Sequence, residues 1–395
     1  MPRLPRAAVP QVVQVVGYYP PHVGGVEFCA SNISRELTRR GIAVTVLTSE
    51  LGAGEAVREP VGDTAQSPSV QRLRALEIAH TPLIPGLPWR LWRASRAAVI
   101  HLHISHVWSD VTATLVAWLG RRPLVAHFHM DTPTSGRLGF AFSWYKRRIL
   151  GWLLRRAGAV VALSQEQGEL VSLRYGVPSS RVRVIPNGVA GEFFTGPRAT
   201  VQTDPKRPLR LLFVGRLAAQ KDLPLLIATA ETLGDAVSLD IVGDGELRRE
   251  IAHLVDAVPS GRIRMWGALS GDALIERYRE ADVFVMTSVR EGMPLALLEA
   301  MATGLPVVAS DVQGLREFVG GVGVLAKERT VEGFAAAVRE LADDPDRLGR
   351  LSEASRRAVQ SRRWDALTDD VLAAYALAGG DLTFGHPAAD GLQEH

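Results

Sequence analysis

Short apolar runs alternate with amphipathic stretches along almost the whole chain. Residues 12–16, 43–48, 99–102, 124–127, 159–163 and 182–185 are apolar, rich in β-branched side chains and too short for helices, which predicts strands. Between several of them, as at 26–40, apolar positions recur at helical spacing. The same alternation restarts at 209–214 and continues through 238–242, 263–266, 283–286, 307–309 and 322–325. Strands alternating with helices imply parallel sheets covered on both faces, with ligands held outside the carboxyl ends of the strands. A polar, proline-punctuated stretch at 197–208 separates the two runs. The expectation is an α/β protein of two Rossmann-like domains facing each other across a cleft: 1–196, a linker 197–208, 209–378, and a loose tail 379–395.

The length of 395 residues, too great for one ordinary core, agrees with two domains. A composition of 47% hydrophobic and 22% charged residues is that of a globular protein. Net charge is only +3 and the basic residues are scattered, which argues against a nucleic-acid binder. The single cysteine, Cys29, cannot form an internal disulfide and reads as a small buried apolar residue, consistent with a reducing cytoplasm. The run 12–16 is short and interrupted by Gln14, a first strand rather than a signal peptide, and no apolar segment approaches the ~20 residues of a membrane span.

Chemistry is densest at 287–304, where a strand period gives way to a helix period at Glu291-Gly292-Met293-Pro294. Proline suits a first helical position and glycine a helix end, so the helix is expected from Pro294 to Gly304. The amides of Leu295 and Ala296, with the positive end of the helix dipole, would suit a phosphate, and Glu291 and Glu299 could accept from sugar or ribose hydroxyls. The plainer alternative is a solvated loop glutamate and a helix glutamate paired to an arginine. Gly24-Gly25 after the first strand would let backbone amides approach a phosphate, although the spacing is not a dinucleotide fingerprint. Gly243-Asp244-Gly245 is equally a tight turn. Arg216 and Lys221, just past the strand 209–214, could clamp a diphosphate or stand free in solvent. His101 and His103, like His127 and His129, share strand faces. With Asp131 they could make a metal site, but further ligands at suitable spacing are missing, so no metal is expected. His129, at a strand end, could instead hydrogen-bond near a reacting sugar.

The ordered set Gly24-Gly25, the strand ending at His129, Val184-Ile-Pro-Asn-Gly-Val189, Gly215-Arg216 with Lys221, and Glu291-Gly292 with Glu299 resembles the retaining glycosyltransferases of family 4, which have the GT-B fold. The resemblance spans roughly residues 10–375. It implies that Arg216 and Lys221 neutralise the donor diphosphate, that Gly24, Gly25 and the loop Gly292-Met293-Pro294 with the Leu295 and Ala296 amides cradle it, and that Glu299 holds the ribose. Glu291 would grip the donor sugar, His129 would sit near the anomeric centre, and Trp266-Gly267 would face the base. The family works without metal or other cofactor, in agreement with the absence here of a D-x-D: Asp240 and Asp244 are not so spaced.

The implied reaction moves a hexose or N-acetylhexosamine from a nucleotide-diphosphate sugar, taken as UDP-linked, to an acceptor hydroxyl. Its barrier is lowered chiefly by stabilising the charge on the leaving diphosphate. Contacts to the acceptor are expected from Asp131, Thr132 and Ser135, a short polar loop suited to a small polyol or aminocyclitol, as in inositol, aminoglycoside or other secondary-metabolite pathways. The segment 137–156, mixing aromatic and aliphatic residues with cations, leaves open a weak peripheral membrane contact and a lipid-linked cell-envelope acceptor. A non-catalytic nucleotide-sugar-binding partner is the alternative of another class, opposed by the intact Arg216, Lys221, Glu291 and Glu299. Oligomeric state is not legible in the sequence.

Overall fold

The computed structural model describes residues 11–22, 24–53, 67–78, 81–96, 98–129, 146–194, 207–258, 261–312 and 314–380. The chain forms two compact units, one running to Pro186 and resuming at Trp364, the other Asn187–Arg363.

In the first unit the strands are β1 (Val12–Val15), β2 (Val44–Ser49), β3 (Ser69–Leu73), a small antiparallel pair β4 (Leu76–Ile78) and β5 (Thr81–Leu83), then β6 (Val99–Ile104), β7 (Leu124–Phe128), β8 (Ala159–Ala162) and β9 (Val182–Val184). Seven of them make a parallel sheet ordered β3-β2-β1-β6-β7-β8-β9. In the second unit β10 (Leu209–Val214), β11 (Val237–Val242), β12 (Ile263–Gly267), β13 (Val283–Met286), β14 (Val307–Ser310) and β15 (Gly323–Ala326) form a parallel sheet ordered β12-β11-β10-β13-β14-β15. Each sheet is doubly wound, and its order reverses between β1 and β6 or between β10 and β13. Those switch points are where such sheets hold ligands.

Central strands are buried on both faces, which is why they read as unbroken apolar runs: every residue of β1, β13 and β14 is buried. The first sheet turns Val13, Val15, Ile100 and Leu102 into one core. Val12, Val44, Val46 and Val161 enter a second core on its other face, with Cys29, Ile33 and Leu37 of the helix Gly25–Arg39. The strands β3, β4 and β5 and the helix Leu87–Ala94 add to the expected elements. Ser69–Leu73 lies at the sheet edge and carries Gln71 and Arg72, so no apolar run announces it.

The domain assignment needs two corrections. The first boundary falls at Pro186/Asn187 rather than near 197–208, a stretch mostly outside the described residues. The helix Trp364–Leu377, expected in the second domain, belongs to the first. Its apolar stripe of Trp364, Leu367, Val371, Ala374 and Tyr375 fills the core beside the helix Gly25–Arg39, and Tyr375 Oη meets His101 Nδ1 at 2.7 Å. Of the expected tail, 381–395 lies outside the described residues.

Candidate functional site

At the switch point of the second sheet, the loops after β10 and β13 are laced together. Thr287 Oγ1 donates toward the carbonyls of Lys221 and Asp222 at 2.9 and 3.0 Å. The Val289 amide bonds to Gln220 O at 2.8 Å, and Gln220 Nε2 to Arg290 O at 2.6 Å. Lys221 Nζ donates to Glu291 Oε1 at 2.6 Å, both side chains being largely buried. Arg216 stands mostly in solvent with its Nε 3.1 Å from Glu246 Oε2. Each expected cation is therefore matched by a carboxylate. Sequence reasoning misses both the Lys221–Glu291 pairing and Glu246, because each contact joins segments far apart along the chain.

Gly243-Asp244-Gly245 is more than a turn. Gly243 has φ +141, and a Cβ there would stand 1.9 Å from Gly215 O; one on Gly245 would stand 2.5 Å from Leu217 O. The Leu217 amide bonds to Asp244 O at 2.9 Å and the Gly243 amide to Gly267 O at 2.8 Å. The loop after β11 thus supports the loop that carries Arg216. At the end of β12, Trp266 Nε1 donates to Asp240 Oδ1 at 2.9 Å and the Arg277 guanidinium lies 4.3 Å from the indole centroid. The ring is held by these partners, and Gly267, with φ +70, closes the strand.

The helix after β13 runs Leu295–Ala302, shorter than the expected 294–304. Pro294 has ψ 121, so it caps the helix rather than opening it. The Leu297 amide bonds back to Pro294 O at 3.2 Å, leaving the Leu295 and Ala296 amides ahead of the first intrahelical bond, at the positive end of the dipole. Asn187 pins the preceding turn: its amide lies 3.0 Å from Met293 Sδ, and its Nδ2 donates to Met293 O at 3.2 Å. Glu299 is buried and accepts from Tyr278 Oη at 2.8 Å. Burial pushes its carboxyl up to about 7, helped by the Glu192 charge and opposed by the Tyr278 hydrogen bond.

In the first unit, His129 follows β7. Parallel pairing sets His103 beside His127, and the four rings of His101, His103, His127 and His129 stack on one face. His103 Nδ1 lies 3.0 Å from His129 Nε2, and His101 Nε2 lies 3.3 Å from His127 Nδ1. Burial pulls His101 and His129 down to about 3 and the other two well below the usual range, so all four are neutral at pH 7. Pairing with His103 leaves His129 one ring nitrogen to offer a ligand. One ligand atom each of Cys29, His103, His127 and His129 falls within 4.8 Å of the others, a sulfur–nitrogen donor set of zinc type that spacing along the chain could not reveal. Gly24 precedes the helix Gly25–Arg39, and Glu27 folds back toward it, its Oε1 3.2 Å from His22 Nδ1. Asp131, Thr132 and Ser135 lie outside the described residues. Within the segment 137–156, Leu150, Leu153 and Leu154 enter the core instead of facing outward.

Residues 23–192 match the profile described as Glycosyltransferase Family 4, and residues 208–344 that described as Glycosyl transferases group 1. The D-inositol 3-phosphate glycosyltransferase of Kineococcus radiotolerans is 30% identical over 405 residues, covering 91% of each chain. The sulfoquinovosyl transferase of Arabidopsis thaliana is 29% identical over 369 residues, 89% of this chain and 70% of that one. Among solved structures, Anabaena HepE in complex with UDP and glucose has a TM-score of 0.73 at 20% identity, over 93% of this chain and 99% of that one. Sucrose-phosphate synthase from Thermosynechococcus elongatus has a TM-score of 0.72 at 22% identity, over 92% and 98%. At such identities these two likenesses show the fold alone.

Proposed function

The chain belongs to glycosyltransferase family 4 and has the GT-B fold, and from that premise we propose that it moves a hexose or N-acetylhexosamine from a UDP-linked donor to a hydroxyl of a small hydrophilic acceptor. The proposed acceptor is an inositol phosphate or an aminocyclitol, and the reaction retains configuration and uses no metal. The observation that carries this reading is the convergence of Arg216, Lys221, Glu291 and the amino end of the helix Leu295–Ala302 at one switch point, with Glu299 buried behind it. Departure of the diphosphate concentrates charge on its oxygens. Two cations and a helix terminus are what such charge requires. Glu299 takes the ribose hydroxyls and Glu291 the donor sugar. We keep for Gly25 and His129 of the first unit the roles that the resemblance implies. The inositol acceptor is supported by the Kineococcus relative.

A second reading, transfer to a lipid-linked cell-envelope acceptor, is favoured by the exposed tryptophan and arginine face of the first unit. The test is to offer the purified protein UDP- and GDP-sugars with inositol phosphates, aminocyclitols and a lipid extract, reading products by mass spectrometry and the new anomeric proton by NMR. An α-linked product on a hydrophilic acceptor from an α-linked donor is expected. Turnover only with lipid would overturn the acceptor, an inverted product the stereochemistry, and no turnover with any donor the catalytic assignment.

A further inference from the structure

The helices Leu87–Ala94 and Val107–Gly120 pack against each other on the first sheet, burying Leu87, Leu91, Ala113 and Val116. The outward face of such a helix is ordinarily polar. Here Trp89 is 63% exposed, Trp92 38%, Trp118 49% and Leu119 64%. Positions 89, 92, 93 and 96 fall on one side of the first helix and its extension, and 108, 115, 118 and 119 on one side of the second, so the exposed rings form a surface rather than a scatter. Soluble monomers rarely leave such a patch open unless it binds something.

The charges in this surface have one sign. Arg93 lies over the Trp89 ring at 5.2 Å, Arg122 over Trp92 at 4.7 Å and Arg156 over Trp118 at 4.7 Å. Among the described residues none of these arginines, nor Arg90, Arg96 or Arg121, pairs with a carboxylate. The one acid of the two helices, Asp110, is buried, and burial pushes its carboxyl up to about 8. At the far end Arg96, Arg121 and Arg122 line a cavity of about 130 Å³ with no acidic side chain in its wall, large enough for a phosphate group.

We propose that this face docks the protein peripherally on a membrane surface rich in anionic lipid. The indoles and Leu119 enter the headgroup layer, where amphipathic rings are most stable, and the exposed guanidinium groups of Arg90, Arg93, Arg96 and Arg121, none paired with a carboxylate among the described residues, meet lipid phosphates. Arginine stacked on tryptophan holds each cation at the level of the ring, which matches the depth of the phosphates. Among the described residues no helix is long and apolar enough to cross a membrane. The proposed docking does not depend on which acceptor the enzyme uses.

The experiment is flotation of the full chain with vesicles of phosphatidylglycerol mixed equally with phosphatidylcholine, at about 0.15 M salt, where weak long-range attraction is screened. The protein should float with these vesicles and stay behind with phosphatidylcholine alone. Trp89→Ser with Trp118→Ser should lower partition by about ten-fold or more. Arg93→Gln with Arg121→Gln should lower it about five-fold per cation. All four side chains are exposed, so both variants should keep the wild-type circular dichroism and UDP affinity. Failure to float with the anionic vesicles, equal flotation with neutral ones, or unchanged partition in both variants would overturn the proposal. So would a wild-type dimer that ignores vesicles and becomes monomeric in the tryptophan variant, since the face would then join two copies of the chain.

Discussion

Lys221 and Glu291 form an ion pair across the switch point of the second sheet, Nζ to Oε1 at 2.6 Å, each from the loop that follows one of two adjacent strands. In the proposed assignment, where Lys221 meets the diphosphate and Glu291 the sugar, donor binding must share the lysine between the two. Removing the carboxylate charge while keeping its shape, in Glu291→Gln, should leave UDP affinity equal or up to about ten-fold tighter and lower transfer by about a hundred-fold or more. Calorimetry with UDP alone and steady-state turnover separate the two effects. Weaker UDP binding in this variant would defeat the division of roles.

Lys221→Ala should weaken UDP binding and lower turnover by about two to three orders of magnitude, because in the proposed role the lost charge faces one that grows in the transition state. Near-normal turnover would remove the lysine from the diphosphate site.

Glu299, held at about 7 by burial, should make UDP affinity depend on pH. A carboxylate accepts from ribose hydroxyls better than a carboxylic acid does, so affinity should rise as pH rises through 7. Tyr278→Phe removes the hydrogen bond that lowers this pKa, and the midpoint should move upward. Calorimetry between about pH 6.5 and 8 reads both, with Glu299→Gln, whose profile should be flat, as the reference. A wild-type profile identical to that of the glutamine variant would show that Glu299 does not titrate in binding.

The histidine stack should make the first unit acid-labile. Free histidine takes a proton near 6.5, whereas His101 and His129 resist until about 3. Between those values the unfolded chain binds more protons than the folded one, so stability rises with pH and is lost as pH falls from about 6.5 toward 3. At about 1.4 kcal/mol per pH unit and proton, the two together remove on the order of 5 kcal/mol by pH 4.5, comparable with a whole domain's stability. Thermal melts from pH 7.5 downward should show it, and His101→Phe should flatten the curve.

Gly243→Ala should destabilise the second unit by about 2–3 kcal/mol, since its methyl group meets Gly215 O and the backbone lies at φ +141. Gly349→Ala, in the helix Pro345–Val359 where a Cβ meets nothing, should be neutral or stabilising by up to about 1 kcal/mol. Chemical denaturation compares them; equal effects would mean that the close approach of the two loops does not matter.

In the proposed assignment Arg216, Lys221 and a helix terminus oppose the leaving-group charge, so transfer should survive EDTA. Loss of activity in chelator, restored by Mg²⁺ or Mn²⁺, would contradict this.

Two doubly wound sheets are legible along the chain because period is a local property: a strand buried on both faces must be apolar throughout, and a covering helix must carry a stripe. The turn from β13 into the helix Leu295–Ala302 is legible for the same reason, with proline and glycine marking its ends. An amphipathic stripe says that a helix covers something, not which sheet, so residue order alone puts Trp364–Leu377 in the wrong unit. Strand register is likewise non-local, and only the pairing of β6 with β7 sets His103 beside His127 and gathers the four imidazoles near Cys29. Arg216, Lys221, Glu291 and Glu299 can be read as chemistry from their places after strands. Their partners Glu246 and Tyr278, the mutual pairing of Lys221 with Glu291, and the exposure of Trp89 and Trp118 come from packing between distant segments, which residue order does not encode one position at a time.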